Sequence, residues 1–244
     1  MAGSVWCIVE DDRKGSPKKV MSEVVGEATR LGLGPVEAVW LTDAATEAGL
    51  TQLGAWGASR IVLLENAALA PYRSEVWAGA LADLAAKESP KAILAPVTSR
   101  QRELMARLAA RLGAGLAADC VSLAPQGDGL IATRPVYAGK LLSKVTWAKS
   151  PWMATLRPNV FRPAEEQPGK VAAVDRQASS MPAATMKFVE RREEAATGLP
   201  ELTEAEIVIS GGRGMKGPEN YVILEEMAGV IGAAVGASRS AVDA

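Results

Sequence analysis

Histidine is absent from all 244 residues, and that absence excludes more than any motif does. Ser-His-Asp and Cys-His catalysis, H-E-x-x-H zinc sites and histidine-ligated haem all need an imidazole. Hydrolase and metalloenzyme chemistry therefore fall away together, and neither a catalytic residue nor a metal site is expected. Cysteine is scarce as well. Cys7 and Cys120 are the only two, far apart in apolar runs and without a C-x-x-C partner, which is the pattern of buried free thiols in a reducing compartment. Charge of one sign is lacking too: 27 Lys and Arg face 28 Asp and Glu, a net charge of −1. Nothing argues for a nucleic-acid surface or a polybasic membrane patch. No apolar stretch reaches the roughly 18 residues of a membrane span, and "MAGSVWCIVE" enters a strand almost at once rather than forming a signal peptide. The expected setting is cytoplasmic.

What is present is a balance of 48% hydrophobic and 23% charged residues, enough for a globular protein with a full core. Residues 5–9, "VWCIV", form a short apolar run suited to a buried strand. Ser16-Pro17 reads as an N-cap and first-turn proline, and Val20, Val24, Ala28 and Leu31 then recur at helical spacing up to Gly32. "VEAVWLT" is a second strand, after which Thr42 or Asp43 can cap a short helix running to about Leu53. "RIVLLE" is a third strand, followed by a helix from Tyr72 to about Lys87. "KAILAP" is a fourth, and Ser99 opens a helix that Gly113 closes. Strands alternating with helices imply βαβ units, a largely parallel sheet and helices on both faces.

After Ala118 the rhythm changes. "DCVSLAP", "GLIATRPVYA", "KLLSKVTWA" and "WMATLRPNVF" look like strands of a β-rich extension with a hairpin, rather than further crossovers. "RPAEEQPGK" and "DRQASSMPAAT" have the composition of connecting segments. "MKFVERR" is a candidate last strand of the first domain, and "EEAATGLPEL" reads as a linker.

"IVISGGRGMKGPEN", residues 207–220, then presents strand, glycine loop and helix start. Gly212, Gly214 and Gly217 satisfy G-x-G-x-x-G. Gly217 suits an N-cap, Pro218 the first helical position and Glu219 the first turn. Leu224, Met227, Ala228 and Ile231 share one helix face. Such a loop brings backbone N–H groups and a helix dipole towards a phosphate. A dinucleotide site of the NAD type would need an acidic residue at the end of the next strand. "AAVGASRS" ends in Ala237, Ser238 and Arg239 instead, a donor set suited to an anion or an electron-rich ring.

The run "ELTEAEIVISGGRGMKGPENYVILEEMAGVIGAAVGASRSAVDA" resembles the start of the FAD-binding domain of electron transfer flavoprotein alpha subunits. "RLAARLGAGLAADC", "RPVYAGKLLSK" and "ATLRPNVFRPA" are similar to the same family's first domain. The resemblance implies FAD as cofactor, a beta subunit as heterodimer partner, acyl-CoA dehydrogenase-type donors as in fatty acid β-oxidation, and a quinone oxidoreductase or another acceptor. It also implies residue roles. Arg213, between Gly212 and Gly214 of the G-G-R-G loop, would lie by the flavin phosphates. Ser238 would hydrogen-bond the cofactor, and Arg239 would set its guanidinium by the isoalloxazine ring. A fixed planar cation there favours the reduced, anionic ring over the neutral oxidised one and so raises the potential.

The expected fold is thus α/β. A parallel-sheet, nucleotide-binding-like first domain with a β-rich extension would occupy residues 1–196, and an incomplete Rossmann-like FAD domain residues 197–244. The family's Q-T-G-K/R loop and S-G-A-I-Q-H segment do not occur in these 244 residues. A cofactor-free scaffold is therefore kept as the alternative function, with an NAD-dependent enzyme of related fold behind it. Two further features stay open at this stage. Arg100, Arg102, Arg107 and Arg111 line one helix, where Thr98, Ser99 and Arg100 are either phosphate contacts or part of a solvated or subunit-facing surface. Trp147 and Trp152 are either core residues or part of a subunit interface.

Overall fold

A computed structural model describes residues 3–178, 182–190, 192, 198–203 and 205–243. They fall into two compact units, the first ending at Phe188 and the second beginning at Val189. The boundary expected at 196/197 lies outside the described residues.

The first unit is built on a seven-stranded sheet. Its strands are β1 (Val5–Ile8), β2 (Val36–Thr42), β3 (Arg60–Glu65), β4 (Ala92–Pro96), β5 (Leu116–Cys120), β9 (Trp152–Leu156) and β10 (Ala173–Arg176). They lie in the order β10-β3-β2-β1-β4-β9-β5, and every pairing is parallel. Period-two alternation divides the central strands between two cores. Val5, Cys7, Ala38, Trp40, Ile61, Leu63 and Leu94 face one side, with Met21, Val24, Val25, Leu50 and Leu53 of helices α1 (Val20–Leu31) and α2 (Glu47–Ala55). Trp6, Ile8, Val39, Leu41, Val62, Leu64 and Ile93 face the other, against Trp77, Leu81, Leu104, Met105 and Leu108 of α3 (Ser74–Glu88) and α4 (Ser99–Leu112). Continuous apolar strands covered on both faces are what a parallel sheet requires.

Several boundaries move for local reasons. Ser16-Pro17 does not start α1. Pro17 instead forms an antiparallel bridge with Asp11, and the Lys18 N–H donates to the Glu10 carbonyl at 2.8 Å. The second helix is capped by Thr46, whose hydroxyl accepts from the Gly49 N–H at 3.1 Å, rather than by Thr42 or Asp43. The β-rich stretch divides: β6 (Ser122–Gln126), β7 (Gly129–Val136) and β8 (Leu141–Thr146) form a separate antiparallel sheet, while β9 returns to the main sheet. Its tip carries Tyr137 at 76% and Leu142 at 67% exposure. Trp152 is buried under Lys91, and half-buried Trp147 donates to the Gly115 carbonyl at 2.9 Å. "MKFVERR" forms no strand among its described residues. The seventh strand is β10, which begins between the two segments read as connectors and runs into the second at Asp175 and Arg176. The chain reaches it by lying across α1 and α2, where the Ala164 N–H donates to the Ser22 carbonyl and the Gln167 N–H to that of Ala55. Gly26 and Gly54 make this possible, since a Cβ on either would sit 2.7–2.8 Å from a backbone nitrogen of that strap.

The sheet reverses its winding between β1 and β4. In doubly wound folds the crevice beyond the strand ends at that point takes the ligand. Here the protein's own side chains fill it. Arg100 is only 8% exposed. It donates to Glu10 at 3.0 Å, to the Asp11 carboxylate at 2.9 and 3.0 Å, and to the Asp11 carbonyl at 3.1 Å. Trp40 donates to the other Asp11 oxygen at 2.9 Å, and the guanidinium lies over the Trp77 ring. Burial pulls the Arg100 pKa down, but Glu10 and Asp11 outweigh it and hold the group above its ordinary value. Arg100 is therefore neither solvated nor open to a phosphate. Thr98 serves as the α4 cap, accepting from the Gln101 N–H, and Arg102, Arg107 and Arg111 remain exposed.

Removing the guanidinium strands two buried carboxylates, so Arg100→Met should cost about 3–5 kcal/mol of unfolding free energy. Arg100→Lys should recover only part of that, because one ammonium cannot reproduce the fork. Arg107→Ala, at an exposed pair with Glu103, should stay within about 0.5 kcal/mol. Urea denaturation of the three variants checks the order.

Candidate functional site

The second unit is one strand–helix–strand crossover. β11 (Val208–Gly211) leads into the glycine loop, which makes a 3-10 turn at Arg213–Met215 and another at Pro218–Tyr221. Helix α5 (Val222–Ile231) follows and stops at Gly232, whose left-handed backbone lets its N–H reach the Ala228 carbonyl. β12 (Ala234–Ala237) then pairs parallel to β11, Val208 opposite Ala234 and Gly211 opposite Ala237. The Ser238 N–H extends the ladder to the Gly211 carbonyl at 3.0 Å. Ser238 precedes a short turn of helix, α6 (Arg239–Val242).

Hydrogen bonds within the loop hold its shape. The Met215 N–H donates to the Gly212 carbonyl at 2.9 Å, the Lys216 N–H to Arg213 at 3.2 Å and the Asn220 N–H to Gly217 at 3.2 Å. The Asn220 amide closes the set on the Met215 carbonyl at 2.7 Å. Gly217 takes the N-cap position and Pro218 the first helical one, as the sequence leads one to expect. The first glycine of the pair has a separate task. A Cβ on Gly211 would stand 2.7 Å from the Tyr221 ring, so glycine is what allows that ring to lie against the strand end.

Loop, strand ends and helix start enclose a cleft of about 610 Å³, lined by Gly212, Arg213, Lys216, Tyr221, Ala237 and Ala241 among others. Among the described residues neither Arg213 nor Lys216 makes an ion pair, so two unpaired cations stand at a glycine loop, with Glu225 the acidic residue of the same lining. A Cβ on Gly214 would meet nothing within 4 Å, which leaves the backbone open to close approach. This donor set fits a phosphate-bearing ligand.

The expected site residues divide on this geometry. Gly212 and Arg213 line the cleft, whereas Gly214, Ser238 and Arg239 do not. Ser238 lies next to it, its Oγ 3.8 Å from where a Gly212 Cβ would be. Arg239 is 93% exposed and bonds Asp243 one turn later at 3.1 Å. Tyr221, Lys216 and Glu225, not singled out beforehand, belong to the lining. The doubled glycine at 211–212 was the available sign that something large packs there. Of the four residues read as sharing one helix face, Met227 and Ile231 are exposed, and Ala228 is the residue of α5 that is buried.

Two family models match the chain. One, described as an electron transfer flavoprotein domain, covers residues 5–181; the other, an electron transfer flavoprotein FAD-binding domain, covers 201–244. An electron transfer flavoprotein subunit alpha from Syntrophomonas wolfei is 34% identical over 243 residues, spanning 100% of this chain and 75% of the relative. The chain belongs to the electron transfer flavoprotein alpha subunit family. Another subunit alpha, from Thermoanaerobacterium thermosaccharolyticum, is 35% identical, with 98% of this chain and 74% of the relative covered. A FixB protein from Clostridium saccharobutylicum is 32% identical, with 98% and 72% covered.

For an electron transfer flavoprotein alpha chain the fold is the expected one, a largely parallel α/β first unit followed by a unit that matches the family's FAD-binding domain. Among the described residues no group of three His, Cys, Asp or Glu could hold a metal ion. No described helix is long and apolar enough to cross a membrane.

Gly211→Ala should displace the Tyr221 ring and loosen the cleft, at a cost of about 1–3 kcal/mol for an overpacked contact. Gly214→Ala, with open space around it, should be near neutral. Amide exchange across residues 208–231 separates them: faster in the first variant, unchanged in the second.

Proposed function

We propose that the chain is the FAD-carrying alpha subunit of a two-subunit electron carrier. Residues 1–196 serve subunit pairing and residues 197–244 open the FAD domain. The observation that carries this is the glycine-loop cleft with its two unpaired cations, lying within the part of the chain similar to the family's FAD-binding domain. In this reading Gly212 and Gly214 present backbone to the phosphates, and Arg213 neutralises them. Ser238 hydrogen-bonds the cofactor. Arg239 gives up its exposed pair with Asp243, which is worth little in water, and turns its guanidinium towards the isoalloxazine ring. FAD, when bound, supplies the electron-accepting ring; the protein binds and orients it and performs no bond chemistry of its own.

The beta subunit is the proposed partner, with acyl-CoA dehydrogenase-type proteins as donors and a quinone oxidoreductase or another acceptor downstream. The apolar hairpin tip around Tyr137, Leu141 and Leu142 is an exposed surface suited to subunit contact. A cytoplasmic setting accords with the two buried thiols, whose burial pushes Cys120 up to about 12 and Cys7 higher still.

Co-purification with a beta subunit tests the proposal. A yellow complex with flavin absorbance is expected, whereas a stable but colourless complex that takes up no added FAD would make the chain a scaffold. The two arginines should then separate by redox state. Arg239→Ala should lower the flavin's reduction potential with little loss of affinity, because the cation acts on charge that appears only on reduction. Lysine should rescue it in part. Arg213→Ala should weaken binding about tenfold or more in both states, since a phosphate is always charged. Redox titration and flavin-binding assays decide; the opposite assignment of effects would mean the roles are exchanged.

A further inference from the structure

Tyr221 ends the 3-10 turn that follows the glycine loop, and its ring forms part of the cleft wall. Its hydroxyl is shut off from solvent and has no hydrogen-bond partner. A buried, unpaired hydroxyl is costly, and phenylalanine would fill the same space without that cost. The carbonyls of the surrounding loop are largely taken, and neither the Glu219 nor the Glu225 carboxylate bonds the hydroxyl. The Gly211 carbonyl takes the Ser238 N–H, that of Gly212 takes Met215, that of Arg213 takes Lys216, and that of Gly217 takes Asn220. The Met215 carbonyl is held by the Asn220 amide. A donor so placed has its best match in an oxygen brought from outside, and Arg213 and Lys216 beside it select an anionic one.

We infer that Tyr221 is a third donor of the phosphate site, its side chain turning to put the hydroxyl on a phosphate oxygen of the ADP half of the cofactor. This rests on the FAD reading. The placement explains three features together: glycine at 211, which seats the ring; a tyrosine where a phenylalanine would pack equally well; and a hydroxyl left without a partner inside the protein. The inference is specific about chemistry. The bond goes to a charged phosphate oxygen and not to the isoalloxazine ring, so it contributes equally to FAD and ADP and nothing to riboflavin.

Tyr221→Phe in the full chain, purified with a beta subunit, tests this by two readouts of opposite sign. Without added nucleotide, amide exchange across residues 208–231 should be as slow as in the wild type or slower, because a buried orphan has been removed. Affinity for both FAD and ADP should fall about tenfold, as for a lost hydrogen bond to a charged group, while riboflavin binding stays unchanged. Faster exchange without nucleotide would assign the hydroxyl a structural role and overturn the inference. Unaltered FAD and ADP affinities, or an equal loss for riboflavin, would overturn it as well. A wild-type complex that binds neither FAD nor ADP would remove the FAD reading itself, and with it this inference; that failure is recognisable because it needs no variant.

Discussion

The first unit is organised around the buried contact of Arg100 with Glu10 and Asp11. A doubly wound sheet leaves a crevice where its winding reverses, and chains of this architecture commonly place a ligand there. In this protein one guanidinium, reaching from the first turn of α4 to the end of β1, takes that place. Trp40 and Trp77 enclose it from β2 and α3, so four elements meet on a single charge. Isolated charges in such a position would be expensive, and the several hydrogen bonds to both carboxylates are what make the burial tolerable. The crevice is thus closed from within.

The glycine loop of the second unit has the opposite character: its cations are unpaired, its backbone is accessible and its cleft is open. The same strand-to-helix geometry occurs in both units. Thr98 and Gly217 each stand at the N-cap of the following helix. What differs is the arginine beside each turn. Arg100, two residues after its N-cap, turns inward to carboxylates of its own protein, whereas Arg213, four residues before Gly217, makes no ion pair among the described residues. One closes a crevice and the other lines an open cleft.

The strands and helices through Gly113 were legible from the sequence because their signals are local. Continuous apolar runs, periodic helices and a glycine in the left-handed region at 32 and 113 leave little alternative. The features that were not legible depend on distant partners. β10, with only Ala173 and Val174 as apolar residues, is a strand because β3 offers it a free edge and Arg60 holds Asp175 beside Glu88. β9 joins the main sheet although the hairpin before it does not, a choice made by the gap between β4 and β5. Arg100 reads as surface charge on a helical wheel until Glu10 and Asp11, some ninety residues earlier, are placed opposite it. In the candidate site the loop and its caps were readable, since glycine, proline and spacing specify them. The orientation of Arg239, bonded to Asp243 rather than facing the cleft, was not.

The second unit also shows what a single crossover can and cannot bury. α5 turns Ala228 and, in part, Leu224 towards its two strands, while Ile223, Met227 and Val230 form an exposed apolar row on the other side. Two parallel strands offer too little surface to cover a helix whose apolar residues run most of the way round it. A helix of that composition gains stability when its Ile223–Val230 row is covered. The cleft does not share this need, because the hydrogen bonds that shape it close within residues 211–221. Loop geometry is thus fixed locally. The glycine-loop cleft can form on this crossover alone, whereas the firmness of α5 behind it depends on what packs against its outer face.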